Sequence, residues 1–190
     1  PALAADDLPA ETGVPAWDDV GVDESLLAIR RAWSGRPYDG ILAFSQGVLM
    51  AMLFVTAVLL PERRPLPFVV LASGFATPVP PSMLAVWPPA SPLELPSMHV
   101  LGVHDAAVAA CRSRALAALF REPVVYEHDL VGGDPTAGGH TFPWPTTDAD
   151  GRCLPGGDDD FFGALFRFVV STRSAGGGWP PSSAATAVPQ

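Results

Sequence analysis

One serine in the sequence has the neighbours that nucleophilic chemistry requires. Ser45 lies in AFSQG (residues 43–47), after a short apolar run and before a long one. A serine held in a sharp turn between a strand and a helix brings the residues two positions away on either side together. Both must therefore be small, and Ala43 and Gly47 meet that condition. A helix that begins at Gln46 would direct free N–H groups at the reacting oxygen. The segment predicts a nucleophilic serine, and a polar turn that caps a helix is the alternative.

A nucleophilic serine requires a base, and the chain contains 4 histidines. His99 lies inside an apolar run and is expected to be a core residue. His104 precedes Asp105, and adjacent side chains on an extended strand point in opposite directions. His140 follows two glycines that allow the backbone to approach the serine closely. We expect His140 to be the base, and His128, at the end of a strand-like run, is its rival.

The acid that orients the base is expected to be Asp105, which follows the apolar run at residues 98–103. Aspartate is also common in turns that end strands, and this is the alternative for the position. The order Ser45, Asp105, His140 is that of α/β-hydrolases and differs from the orders of the two major serine protease groups.

Strand-like and helix-like segments alternate around these residues. Short apolar runs predict strands at residues 38–44, 67–73, 98–103 and 123–128. Helical spacing predicts helices at residues 23–33 (with Asp23 as N-cap), 48–60, 109–120 and 158–172. This alternation predicts a mostly parallel sheet flanked by helices, with ligands bound beyond the carboxyl ends of the strands.

Charge and composition exclude several classes of protein. A net charge of -9, with 20 acidic and 11 basic residues, argues against a nucleic-acid partner. All the basic residues are arginine, so a lysine nucleophile or a Schiff base is excluded. Two cysteines are too few for a disulfide scaffold or a zinc ribbon, and two free thiols indicate a reducing compartment. The first residues show no signal peptide, so we expect a cytoplasmic location.

Residues 41–60 carry no charge and have about the length of a membrane span. The polar triplet at residues 45–47 interrupts them, so we expect a strand, a turn and a buried helix, with no membrane span. A membrane-anchored protein is the rival interpretation.

Two further segments lie outside the alternating pattern. Residues 77–96 are rich in proline, and Met83, Leu84 and Trp87 are expected to form an apolar wall for an acyl chain. A surface loop packed on the core is the alternative. The hydrolase domain is expected to occupy residues 1–175, followed by a disordered low-complexity tail at residues 176–190.

The sequence resembles the FSH family of small serine hydrolases from residue 17 to about residue 143. The resemblance rests on DESL (23–26), PYDGILAFSQG (37–47), SGF (73–75), PSMHVLG (96–102), Asp105, Val108 and GGH (138–140). It implies an α/β-hydrolase fold that hydrolyses small-molecule carboxylic esters or thioesters. It carries the nucleophile onto Ser45, the acid onto Asp105 and the base onto His140, with the Gln46 N–H as an oxyanion donor. No metal or organic cofactor is implied.

The sequence departs from the family pattern in three places. AFSQG replaces the usual GFSQG, and residues 129–137 form a longer link before the GGH motif. The family also begins with a strand and a His-Gly loop that supplies a second oxyanion donor, and nothing in residues 1–17 resembles it. We therefore expect a sheet that lacks the N-terminal strand or strands. A catalytically impaired, hydrolase-like binding or scaffold protein is the alternative function.

Overall fold

The computed structural model describes residues 20–35, 38–62, 64–76, 89, 92–130, 139–143 and 159–175. The elements in chain order are α1 (Val22–Gly35), β1 (Ile41–Phe44), α2 (Gln46–Phe54), β2 (Val69–Ala72), β3 (Ser97–Gly102), α3 (Ala110–Ala117), β4 (Val124–His128) and α4 (Asp159–Ala175). A π-helical segment, Val55–Leu59, continues α2. Each predicted strand and helix is present, with shifted ends.

The four strands form one parallel sheet in the order β1-β2-β3-β4. Every residue of β2 and β3 is buried, because their side chains are packed on both faces of the sheet. The carboxyl ends of all four strands lie along one edge of the sheet, which is where ligands bind in such folds. The expected α/β architecture with a parallel sheet is confirmed.

Two clusters of apolar side chains cover the two faces of the sheet. On one face, Leu71 of β2 packs with Met52 of α2 and Leu116 of α3. On the other face, Val70 of β2 packs with Phe161 of α4. Successive side chains of a strand point to opposite faces of the sheet, so Val70 and Leu71, which are adjacent in β2, belong to different clusters.

Two helix ends differ from the sequence prediction. The helix α1 begins at Val22, so Asp23 lies in its first turn and is not the N-cap. The chain enters α1 through Gly21, whose positive φ of 78° is easily adopted by glycine. The helix α3 ends at Ala117 and not at residue 120, because Phe120 forms a parallel β-bridge with Leu93.

The stretch at residues 41–60 is a strand, a turn and a buried helix, as expected. Its first four residues pair with β2, and most side chains of α2 lie in the core. Across the described ranges, no helix combines the length and the apolar character that a bilayer crossing needs. The interpretation of this stretch as a membrane span is wrong, because its first four residues, Ile41–Phe44, form a strand of the parallel sheet.

Several predictions fall outside the described residues. These are the acyl wall of Met83, Leu84 and Trp87, the link ahead of His140, and the tail at residues 176–190. The domain limits and the cytoplasmic location likewise stay predictions. Cys111 lies on α3 and is an exposed free thiol.

Candidate active site

Ser45 forms the sharp turn between β1 and α2. Its backbone has φ 53° and ψ -126°, a conformation that residues other than glycine rarely adopt. The Ser45 N–H donates to the Ala72 carbonyl at 2.9 Å, and the Ser45 carbonyl accepts from Val48 at 2.9 Å. Bonds to the neighbouring strand and to the following helix therefore hold this strained turn, as functional sites require.

The predicted steric requirement at position 47 is wrong. Among the described residues, a Cβ atom added to Gly47 would meet nothing within 4 Å, leaving aside its two chain neighbours and the helix's own backbone. Gly47 lies on the exposed side of the first turn of α2, and its backbone does not have a positive φ. Ala43, in contrast, is buried in the core cluster, where space is limited.

Asp105 follows β3 and is held by its own loop. Its Oδ1 accepts hydrogen bonds from the backbone N–H groups of Ala107 at 2.9 Å and Val108 at 2.7 Å. Only 1% of the side chain is exposed. The N–H groups fix the orientation of the carboxylate and leave Oδ2 directed towards His140.

His140 connects Asp105 to Ser45. Its Nδ1 lies 2.9 Å from Oδ2 and 3.1 Å from Oδ1 of Asp105, and its Nε2 lies 3.0 Å from Oγ of Ser45. When Nδ1 donates its proton to the carboxylate, Nε2 is left as an acceptor for the serine hydroxyl. Three residues that are far apart in sequence thus form one line of hydrogen bonds, which can take a proton from Ser45.

Two glycines close the His140 loop onto the end of the sheet. A Cβ on Gly139 would lie 2.8 Å from the Leu130 carbonyl oxygen and 3.2 Å from the Asp105 nitrogen. A Cβ on Gly102, at the end of β3, would clash with the Gly139 carbonyl oxygen. The Gly139 backbone therefore packs closely on the segments that follow β3 and β4.

The other histidines occupy different places. His104 is exposed, whereas His128 is 3% exposed, at the end of β4. Its Cε1 lies 3.0 Å from the position of a Cβ on Gly102. His99 is buried in the core, as expected, with Nε2 3.1 Å from Ser97 Oγ. Burial lowers the pKa of His99 to about 4, because a charged imidazole would lose its hydration.

Gln46 is the first residue of α2 and is exposed. The first N–H groups of a helix have no intrahelical acceptor, so the Gln46 N–H is available near Ser45. Among the residues that the structure describes, no group of three or more His, Cys, Asp or Glu side chains could hold a metal ion.

Sequence reasoning missed two features of the site. Phe44, directly before Ser45, packs its ring against His140, with 4.9 Å between the ring centroids. Ser73, directly after β2, also has a positive φ, of 47°, and within the described ranges its buried Oγ has no hydrogen-bond partner. Phe44 ends β1 and Ser73 directly follows the neighbouring strand β2. These positions at the carboxyl edge of the sheet are the sequence signal that could have placed both residues near Ser45.

Comparisons with known proteins identify relatives of the whole region around the site. Residues 14–148 match the family described as Serine hydrolase (FSH1). Esterase AGAP003155 of Anopheles gambiae is 33% identical over 133 residues, which are 69% of this chain and 44% of that protein. Esterase OVCA2 of Bos taurus is 36% identical over 128 residues, 65% of this chain and 51% of that protein. The chain thus spans about half the length of these curated relatives.

Two solved structures share the fold at low identity. Zea mays acyl-protein thioesterase 2 has a TM-score of 0.52 at 20% identity, covering 84% of this chain and 70% of that chain. Arabidopsis thaliana SOBER1 has a TM-score of 0.52 at 15% identity, covering 87% and 70%. These neighbours are α/β-hydrolases, so the expected α/β-hydrolase fold is confirmed.

Proposed function

Since the chain belongs to the FSH1 family of serine hydrolases, we propose that it cleaves carboxylic esters or thioesters through an acyl-enzyme. Ser45 is the nucleophile, His140 the base and Asp105 the acid in this proposal. The observation that carries it is the line of hydrogen bonds, with 3.0 Å from Ser45 Oγ to His140 Nε2 and 2.9 Å from Nδ1 to Asp105 Oδ2. Nucleophile, base and orienting acid lie within the reach that proton transfer requires.

Acylation begins when Ser45 Oγ attacks the carbonyl carbon and its proton passes to His140 Nε2. The new oxyanion lies at the N-terminus of α2, where the Gln46 N–H donates to it. Collapse of this intermediate breaks the bond to the leaving oxygen or sulfur, and His140 returns the proton to that atom. Asp105 stabilises the imidazolium while it exists.

Deacylation repeats these steps with water. His140 takes a proton from a water molecule as the water oxygen attacks the acyl carbon. The second tetrahedral intermediate breaks the bond to Ser45 Oγ, which regains its proton from His140. The acid product leaves, and the site returns to its starting state.

The names of the relatives and of a fold neighbour support a substrate whose leaving atom is either oxygen or sulfur. The insect and bovine relatives are called esterases, and one fold neighbour is called an acyl-protein thioesterase. The carbonyl chemistry is the same in both cases, because only the leaving atom changes from oxygen to sulfur. The proposed substrate class therefore includes both.

The proposal is tested by labelling with a fluorophosphonate and locating the adduct by peptide mass spectrometry. Attack by Ser45 Oγ forms a bond to phosphorus and expels fluoride, while His140 takes the proton. We expect one adduct, on Ser45, and none in Ser45→Ala. The matched control is Ser73→Ala, because Ser73 also has a positive φ at the end of the neighbouring strand, and its buried Oγ has no hydrogen-bond partner among the described residues. That variant should label as fast as the unchanged chain.

A folded chain that gives no adduct would favour the second candidate, a catalytically impaired binding or scaffold protein. One observation favours that candidate. Among the described strands, β1 has β2 as its one neighbour, so the strand that carries Ser45 lies at an edge of the sheet. Loss of one oxyanion donor costs about 10²- to 10³-fold in kcat. A chain that labels at Ser45 but turns over esters at least that much more slowly than a full-length relative would meet this description.

A further inference from the structure

An aromatic ring lies against the proposed base. Phe44 is the last residue of β1, and its ring centroid is 4.9 Å from that of His140, with 39° between the ring planes. We propose that Phe44 is a positioning residue that holds the His140 imidazole in line with Ser45 Oγ. The inference rests on the function proposed above and adds a residue to it.

The two hydrogen bonds of His140 leave one motion of the ring weakly restrained. Asp105 bonds to Nδ1 and Ser45 bonds to Nε2, on opposite sides of the imidazole. Hydrogen bonds to ring nitrogens lie near the ring plane, so they fix where the nitrogens point. Rocking about the line that joins the nitrogens changes these distances little. A flat side chain packed beside the ring opposes that rocking.

The ends of the hydrogen-bonded line are not equally rigid. Two backbone N–H groups hold the Asp105 carboxylate, and Gly139 packs closely on the ends of β3 and β4. At the other end, within the described part of the chain, the Ser45 hydroxyl is held by one hydrogen bond, to His140. The His140 ring is therefore less restrained at Nε2 than at Nδ1. Phe44 directly precedes Ser45, which bonds to Nε2, and its ring packs against the imidazole.

The contact also suits the charge that develops on His140. The imidazole becomes a cation when it takes the serine proton, and a cation is attracted to an aromatic ring within about 6 Å. A water-exposed imidazolium would gain less from this attraction, but only 17% of the His140 side chain is exposed. Phe44 is thus placed to favour the protonated state that forms during acylation.

Leu42 provides a matched control on the same strand. It lies two residues before Phe44, so both side chains point to the same face of the sheet. Leu42 is 51% exposed and Phe44 37%. Removing either side chain deletes a similar exposed apolar group from β1, but it is Phe44 whose ring packs against His140.

The experiment compares Phe44→Ala, Phe44→Leu, Phe44→Tyr and Leu42→Ala with the unchanged chain. The readouts are kcat and KM for p-nitrophenyl acetate, the rate of fluorophosphonate labelling, and the melting temperature. Misplacement of a base by a fraction of an ångström costs roughly 5- to 30-fold in kcat. We expect that loss in Phe44→Ala with KM changed less than about twofold. Phe44→Tyr should restore kcat to within about twofold, Phe44→Leu should restore it less, and Leu42→Ala should match the unchanged chain.

Four results would overturn the inference. A raised KM with normal kcat would make Phe44 part of the substrate wall, and an equal loss in Leu42→Ala would assign the effect to the strand as a whole. Normal kinetics in Phe44→Ala would also contradict it. If Phe44→Ala does not fold, equal kcat values in Phe44→Leu and Phe44→Tyr would contradict the inference. Ser45→Ala separates the two proposals, because undiminished turnover in that variant contradicts the proposed function itself, whatever Phe44 does.

Discussion

At the scale of single residues, both oxygens of Asp105 lie near Nδ1 of His140, but they differ in their contacts with the backbone. Oδ1 accepts two backbone hydrogen bonds from its own loop, and Oδ2 makes the shorter contact with His140. The loop fixes the carboxylate whether or not His140 is present. A substitution that replaces Oδ2 and keeps Oδ1 should therefore change the hydrogen bond to His140 while the loop keeps its backbone hydrogen bonds.

Asp105→Asn tests this separation. The amide oxygen can still accept from Ala107 and Val108, while the amide nitrogen replaces Oδ2 and donates towards His140. The imidazole then carries its proton on Nε2, the wrong atom for accepting from Ser45. We expect kcat for a p-nitrophenyl ester to fall about 10³- to 10⁴-fold with little change in melting temperature. A loss below about tenfold would show that Asp105 does not set the tautomer.

His99 is a second single residue with a measurable consequence. Its pKa is lowered from 6.5 to about 4 by burial, so the unfolded chain binds a proton at this residue between these pH values and the folded chain does not. The free energy of unfolding should therefore fall as pH falls from 6.5 towards 4, by up to about 1.4 kcal/mol for each pH unit. Urea unfolding at several pH values measures it.

The matched variant for that experiment is His99→Leu. Leucine fills a similar buried volume and does not titrate, so the slope of stability against pH between 6.5 and about 5 should become smaller. Carboxylates also titrate near pH 4. The test is therefore the difference between the slopes of the unchanged chain and of His99→Leu, and not either slope alone. Equal slopes would mean that His99 does not have the lowered pKa.

At the scale of elements, the end of β3 and the His140 loop are joined through two glycines. Gly102 and Gly139 leave no room for a side chain on either backbone. Asp105 is three residues beyond Gly102, and His140 directly follows Gly139. The contact between these glycines thus sets the distance between the proposed acid and base.

Gly102→Ala should disrupt that distance. Its Cβ would meet the Gly139 carbonyl oxygen, a backbone atom that can move only with the loop. We expect kcat to fall by about 10²-fold, because the base moves by roughly an ångström relative to Ser45. The control is Gly47→Ala, whose Cβ meets nothing within 4 Å outside its own helix. Alanine there should raise the free energy of unfolding by up to about 1 kcal/mol. Normal activity in Gly102→Ala would contradict this account.

At the scale of the whole molecule, one edge of the sheet formed by the described strands is apolar. The strand β1 reads ILAF, a sequence typical of the interior of a parallel sheet, yet Leu42 and Phe44 are among the exposed large apolar side chains. The Ile41 and Ser45 N–H groups bond to β2, so the N–H groups of the alternate residues face the other edge. Such an edge favours pairing between chains.

Leu42→Lys should reduce self-association of the isolated chain. A lysine on an edge strand adds a charge that must be desolvated when two edges pair. We expect light scattering to show a higher protein concentration at the onset of association, with kcat unchanged at low concentration. Leu60→Lys is the control, because Leu60 is 49% exposed and follows the π-helical segment, so it is not part of the strand edge. An equal effect of both variants would mean that charge alone, and not the edge, limits association.

The sequence by itself determined the elements and most of the proposed residues. The spacing of apolar residues depends on which side chains are buried, and this spacing is visible within short stretches of the sequence. The alternation of strands and helices could therefore be predicted. Ser45 directly follows β1 and Asp105 lies three residues after the end of β3. The predicted strands therefore already placed both residues at the same edge of a parallel sheet. Helix ends were less accurate, because the bridge between Leu93 and Phe120 is a long-range contact.

Only the tertiary structure decided between His140 and His128 as the partner of Ser45, placed Phe44 against His140, and freed Gly47 from a steric requirement. Both histidines follow β4 or end it. The two glycines before His140 favoured it, but its hydrogen bond to Ser45 joins residues 95 positions apart in the chain. The loop's path over the end of β3 depends on backbone contacts between residues far apart in sequence. Such contacts leave no periodicity in the chain, because they depend on the three-dimensional packing of the sheet edge.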